Sequence, residues 1–190
     1  GVVDVLWLRE EFAGGFDQGR VHRLMPRPLR AAGPLPTRGF MGRLVHAEPV
    51  WGTVVTFDVR DRRLDVGAAR RAFDAAAAEL HRIDAWLSPF RSESVVSALR
   101  RGEVTRAQCP DPVQRVIDAC DELRAKTAGA FDPWSMPGGF DPCGYVKGWG
   151  ADRAVEILAD HGLVNASVNA AGDVSCRGQA REGLEGWCIG

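Results

Sequence analysis

From Trp51 onward the chain alternates. Thr53, Val55, Phe57 and Val59 fall on one side and Val54, Thr56 and Asp58 on the other, which predicts a strand over Trp51–Arg60. Asp61–Asp65 reads as a polar turn. The period then becomes helical: Phe73, Ala76, Ala77, Leu80, Ile83 and Leu87 share one face of a helix predicted over Ala68–Leu87. Pro89 breaks it within Ser88–Ser92, and a short helix over Ser94–Arg101 is closed by Gly102. In the next helix Asp111 is the expected cap and Pro112 the first helical residue, where a missing N–H costs nothing. Val113, Val116, Ile117, Cys120 and Leu123 form its apolar face, and Gly129 is its expected left-handed end.

The punctuation then changes. Gly138–Gly150 holds five glycines in thirteen residues and leads into a helix predicted from about Trp149 to His161, ended by Gly162. Leu163–Asn169 reads as a strand, Asn169–Asp173 as a turn, Val174–Arg177 as a short strand, and Trp187–Gly190 as the beginning of another. Residues 1–44 show neither period. They hold seven arginines, no lysine and four prolines, and read as a largely unstructured leader ahead of a domain over 45–190, with Met41 a natural start for the folded unit.

Composition narrows the classes. The chain has 190 residues, 45% of them hydrophobic, which suits one ordinary domain or part of a larger one. With 24 basic and 25 acidic side chains there is no excess positive charge to hold nucleic acid. No apolar run approaches the roughly 20 residues of a membrane span. Cys109, Cys120, Cys143, Cys176 and Cys188 form no C-x-x-C and no zinc spacing, and Gly1–Arg9 lacks the layout of a secretory signal. The expectation is a cytoplasmic protein with reduced thiols.

The densest chemistry lies in Asp141-Pro-Cys-Gly-Tyr-Val-Lys147-Gly-Trp149. A glycine-containing loop opening a helix offers free N–H groups and a dipole that favour an anion, and Lys147 adds a point charge. Lys126 and Lys147 are the only lysines, against 22 arginines. The segment is neither a P-loop nor a dinucleotide fingerprint. Asp132, in Gly129-Ala-Phe-Asp-Pro133, either presents a carboxylate or bonds nearby backbone amides. Asn169–Asp173 either sets a carboxylate beside a ligand or closes an Asx turn. Trp51 is either packing or a stacking platform. The four histidines are far apart in sequence and suggest no metal pair or catalytic base.

Taken in order, these segments resemble the ApbE family, the FAD:protein FMN transferases. Trp51-Gly-Thr53 stands where the family has Met-Gly-Thr. Ser88-Pro-Phe-Arg-Ser-Glu-Ser94 is similar to its Ser-x-(Tyr/Phe)-x-x-x-Ser segment, and Gly129-Ala-Phe-Asp-Pro133 matches closely. Asp141-x-x-Gly-Tyr-Val-Lys-Gly-Trp-x-x-Asp-Arg-Ala154 is the most specific match, and Asn169-Ala-Ala-Gly-Asp173 is similar to Asn-Ala-Gly-Gly-Asp. The resemblance runs from about Val45 to Gly190. It implies an α+β fold with a mixed or antiparallel sheet and packed helices. It implies FAD contacts at Trp51, Phe90, Ala130, Phe131, Asp132, Asp141 and Lys147, and a Mg²⁺ ligand in the Gly144 carbonyl. The implied reaction moves FMN from FAD to a threonine of a flavin-acceptor protein and releases AMP. No catalytic residue is assigned. Trp51 replaces a methionine and Ala171 a glycine. The family's C-terminal His-x-x-(Asp/Asn)-Pro and Ala-Asp-x-x-(Ala/Ser)-Thr segments have no counterpart, so the expectation is a domain incomplete at its C-terminus. The alternatives are a non-catalytic flavin- or nucleotide-binding fragment and, with water in place of threonine, an FAD diphosphatase.

Overall fold

Two facing seven-residue strands begin the architecture. In a computed structural model that describes residues 42–180 and 186–189, β1 (Leu44–Val50) and β2 (Thr53–Val59) form an antiparallel hairpin, with Leu44 opposite Val59 and Val50 opposite Thr53. Trp51 and Gly52 turn the corner with φ of 57° and 70°. Two consecutive left-handed residues match the twist of the flanking strands. Glycine takes that conformation freely, whereas tryptophan does so at a cost.

The pattern had not announced β1. Its half-buried positions are Leu44, His46 and Glu48, while Val45, Ala47 and Pro49 face solvent. Polar and apolar are thus reversed relative to an amphipathic strand. The polar pair is accommodated by bonding: Glu48 takes His81 Nε2 at 2.7 Å and His46 Nε2 at 3.0 Å, and the His46 ring packs in a near-parallel cluster with Phe57 and Phe73. The reading of residues 1–44 as a leader lies outside the described residues except for 42–44, the last of which opens β1.

The sheet continues through β3 (Ala166–Ala170) and β4 (Asp173–Arg177) in the order β1-β2-β3-β4, and every neighbour is antiparallel. One face is covered by α1 (Val66–Leu87), which meets β1, and α4 (Cys143–Asp160), which meets β3, β4 and α1. The expected α+β class holds, with an antiparallel sheet. Val55, Phe57 and Val59 of β2 and Ala166, Val168 and Ala170 of β3 bury against Phe73, Ala76, Leu80, Ala154 and Leu158. A second cluster forms where α1 runs past the sheet: Ile83 and Leu87 meet Val96 of α2 (Val95–Arg100), Val113 and Ile117 of α3 (Asp111–Lys126), Phe140, and Val146 of α4. At 22 residues, α1 is long enough to serve both clusters.

Several boundaries moved for physical reasons. Asp111 is the first residue of α3 rather than its cap; Pro110 holds the cap position without a side-chain bond. The helix stops at Lys126, where Ala128 and Gly129 are both left-handed and the Gly129 N–H returns to the Arg124 carbonyl at 2.9 Å. The strand after α4 begins at Ala166 rather than Leu163, because the Leu163 N–H still bonds the Leu158 carbonyl across left-handed Gly162. Residues 187–189 are not in a strand; Trp187 instead donates from Nε1 to the Arg177 carbonyl and lies under the Arg60 guanidinium.

The largest difference is α4. It begins at Cys143, a turn and a half before its expected start, and contains Gly144, Gly148 and Gly150. Helix propensity argues against them, but packing decides. A Cβ on Gly150 would stand 2.4 Å from Trp51 Cη2, and one on Gly144 would stand 3.2 Å from Phe131 Cε2. No helix among the described residues is long and apolar enough to cross a membrane. All five cysteines are unpaired.

Two predictions follow from this packing. Gly150→Ala should lower stability by about 1–3 kcal/mol through overpacking, and Trp51→Met in the same chain should recover most of the loss. Paired urea titrations measure both; failure of the second change to rescue the first would mean that the clash lies elsewhere. The other concerns pH. Burial raises the pKa of the Glu48 carboxyl, and the hydrogen bonds and charge of His81 and His46 more than reverse this, leaving it lowered. A lowered folded value gives stability that is present above the ordinary carboxylate range and lost as pH falls through the lowered value. Thermal midpoints of wild type and Glu48→Gln should therefore differ near neutrality and converge in acid.

Candidate functional site

The α3–α4 connection builds the site around the N-terminus of α4. Thr127 Oγ1 donates to the Leu123 carbonyl at 2.8 Å and accepts the Phe131 N–H at 3.0 Å, which folds the chain back after the helix. The Phe131 ring then lies over Gly144. Asp132 accepts the Trp134 N–H at 3.0 Å through Oδ1 and pairs through Oδ2 with Arg124 Nε at 3.0 Å. Between the two readings of this residue, the backbone-bonded one describes the geometry. Trp134 packs at a tilt against Phe140 and donates from Nε1 to Asp121. Arg100 of α2 donates to the Pro137 and Gly138 carbonyls and braces the loop that leads to Asp141.

Asp141 is fixed at both ends. Its N–H bonds the Pro133 carbonyl at 2.8 Å, and its Oδ1 accepts the Cys143 N–H at 2.9 Å. It thereby satisfies one of the open donors of α4, whose cap residue, Pro142, contributes no side-chain bond. Tyr145 and Val146 both donate to the Pro142 carbonyl. Gly144 is exposed, and its N–H has no partner among the described residues. One turn on, Lys147 Nζ lies 3.9 Å from Asp173 Oδ2. The start of α4 thus carries an open N–H, the positive end of the helix dipole and an ammonium group, an arrangement suited to an anion.

Cys143 sits in the same turn. Burial, the hydrogen bond to Asp141 and that carboxylate's charge push its thiol up to about 12, against the opposing pull of Lys147 and Arg100. Such a thiol stays protonated at neutral pH and is a poor nucleophile.

The structure gathers part of the expected set. Phe131, Asp141, Gly144 and Lys147 surround the first turns of α4, and Trp51 lies against the same helix at Gly150. Trp51 is half-buried and packs against both core clusters, which leaves part of its ring accessible. Ala130 is exposed in the turn before Phe131. Phe90 stands apart on the α1–α2 loop, 86% exposed and free for a flat ring to stack on. The pairing of Lys147 with Asp173 was not visible in sequence: 26 residues separate them, and only the β3–β4 turn, braced by the Gly172 N–H to Asn169 Oδ1 bond, brings them together.

Mg²⁺, the ion that the family resemblance implies, takes six oxygens in near-octahedral array. No three His, Cys, Asp or Glu side chains converge among the described residues. Asp141 is bonded to the Cys143 N–H and Asp173 is paired with Lys147. The Gly144 carbonyl is one donor and does not make a shell. The described residues therefore do not fit the ion by themselves.

The fold is that of solved flavin transferases. The chain is similar to the flavin transferase ApbE from Vibrio cholerae (16% identity, TM-score 0.62, 75% of this chain and 62% of that one). A single-site mutant of that enzyme gives a TM-score of 0.65 at 16% identity over 75% of this chain and 65% of that one. The apo flavinyl transferase ApbE from Pseudomonas stutzeri gives 0.60 at 18% identity over 73% and 58%. The chain thus spans about three fifths of the length of these structures. No curated protein matches the sequence. The family model described as the ApbE family matches residues 51–139 and 136–190, and the chain belongs to that family.

The loop that carries Phe90 yields a prediction. Ser94 is fully buried; its Oγ donates to the Ser88 carbonyl at 2.6 Å and accepts the Ser97 N–H at 3.0 Å. Ser94→Ala should cost about 1–3 kcal/mol by leaving buried groups unpaired, whereas Phe90→Ala should leave the thermal midpoint unchanged. Calorimetry of both variants tests this; a large loss for Phe90→Ala would show that the ring packs on the fold.

Proposed function

We propose that the protein is an FAD:protein FMN transferase and that this chain carries its nucleotide-binding part. The observation that carries the reading is the start of α4, where the exposed Gly144 N–H and Lys147 lie together in the family's most specific motif. FAD is a pyrophosphate, and an open helix N-terminus with one ammonium suits its charge. Phe131, over Gly144, gives that seat an aromatic wall. Phe90 offers a second ring, on a loop tied by Ser94. Trp51 and the turn residues Ala130 and Asp132 complete the proposed contacts. The names of the solved relatives, which describe flavin transfer, support the same chemistry.

In the proposed reaction the Oγ of an acceptor threonine attacks the FMN-side phosphorus of FAD. A new P–O bond forms and the bond to the bridging oxygen breaks. That oxygen leaves with the electron pair on AMP, and the hydroxyl proton passes to a base. None of the described residues is assigned as that base: Cys143 is held protonated, and Asp132 is paired with Arg124. The role of the chain's own groups is to hold and orient. Lys147 offsets pyrophosphate charge, and Asp141, by taking the Cys143 N–H, leaves the next donor, the Gly144 N–H, for the ligand. Mg²⁺, implied by the family pattern with the Gly144 carbonyl among its ligands, would neutralise phosphoryl charge. The donors in this chain do not complete its shell, so no step here depends on it.

FAD should bind the chain, and Lys147→Ala should weaken binding by about 1.5–3 kcal/mol, the worth of a charge-assisted bond. Titration of flavin fluorescence measures it. Equal affinities in wild type and variant would remove the lysine from the site. Covalent labelling of a threonine-bearing acceptor domain, read as flavin fluorescence in a gel, tests transfer itself. Labelling that persists when the acceptor threonine is replaced by valine would exclude the proposed phosphodiester.

A further inference from the structure

We propose that Asp173 is the counter-ion of Lys147, holding the ammonium beside the start of α4 in the ligand-free protein and opposing the anion that replaces it. The inference rests on the reading of Lys147 as a pyrophosphate contact. Lys147 Nζ lies 3.9 Å from Asp173 Oδ2, and neither side chain has another hydrogen bond or ion pair among the described residues. Both are partly buried, with side-chain exposures of 39% and 28%. Their supports are firm. Lys147 stands on the second turn of α4, and Asp173 opens β4 directly after a two-residue turn in which Ala171 and Gly172 are both left-handed. Asn169 Oδ1 takes the Gly172 N–H at 2.9 Å, and Asp173 pairs with Ala170 across the hairpin.

A half-exposed pair at this separation is weak, because solvent screens it and the long lysine chain resists ordering. The contact is tight enough to bias where the ammonium points and loose enough to be surrendered to a doubly charged pyrophosphate. Once the ligand is seated, the Asp173 carboxylate stays on the hairpin and faces an anion. Asp173 thus acts chiefly through Lys147: it positions the group and sets an upper limit on how tightly the anion is held.

The test uses the full 190-residue chain and sodium pyrophosphate as the probe, with FAD alongside, by isothermal titration at low salt. Asp173→Asn is close in shape and Asp173→Glu keeps the charge. Asp173→Asn should tighten pyrophosphate binding by roughly three- to tenfold, and Asp173→Glu should stay near wild type. The gain should shrink as sodium chloride rises toward about 0.5 M. In a Lys147→Met background the Asp173→Asn gain should be markedly smaller, a dependence that a merely structural role for Asp173 would not produce. Thermal midpoints of all variants check that the hairpin is intact. An unchanged affinity in Asp173→Asn, or an equal gain in both backgrounds, would overturn the counter-ion role while leaving the pyrophosphate reading in place. Absence of both pyrophosphate and FAD binding by the wild-type chain would overturn that reading and the inference with it.

Discussion

The insertion of Trp51 into the notch at Gly150 holds the rest of the arrangement together. The indole comes from the tip of the β1–β2 hairpin and reaches a helix nearly one hundred residues later, where a single added methyl carbon would collide with it. Trp51 takes a left-handed backbone conformation, at a cost of roughly 1–2 kcal/mol for a non-glycine residue, and its Nε1 is buried without a hydrogen-bond partner. Both penalties are tolerated because the ring packs against both hydrophobic clusters. It thereby fixes the sheet, α1 and α4 relative to one another, and so fixes where the start of α4 stands.

That helix divides its work along its length. Its later turns, with Ala151, Ala154, Val155 and Leu158, are buried against the sheet and α1. Its first turn is held by Asp141, the Pro142 carbonyl and Phe131 and leaves one N–H open. The same glycines that lower its intrinsic stability permit the close approaches that position it. A helix whose rigidity comes from packing rather than propensity can present an incompletely bonded end without fraying.

Polar groups inside the fold are used as local ties. Asp61 takes both the backbone N–H and the side-chain amide of Asn165, and Asn165 in turn accepts the Gln179 N–H, linking the ends of β2, β3 and β4. Arg60 and Arg43 share Asp58, whose carboxyl burial would raise and these partners lower. Glu48 does the same between β1 and α1 with two histidines. Each of these acids also takes a partner more distant in sequence: Asp58 takes Arg43, Glu48 takes His81, and Asp61 takes Asn165.

What the sequence determined was local: the alternation of β2, the apolar faces of α1 and α3, and the left-handed stops at Gly102, Gly129 and Gly162. Each rests on backbone chemistry or periodicity within a few residues. The motif order also made the family legible, and the anion-suited segment 141–149 was visible as glycines around a lone lysine. The tertiary structure decided the rest. It made a strand of Leu44–Val50 by pairing its inward His46 and Glu48 with each other and with His81. It made a helix of glycine-rich 143–150 by packing Phe131 over Gly144 and Trp51 against Gly150. It committed Asp132 to Arg124 and set Asp173 beside Lys147. Those outcomes depend on contacts between residues far apart in the chain, and neither propensity nor spacing carries information about partners that only the packed sheet and helices bring together.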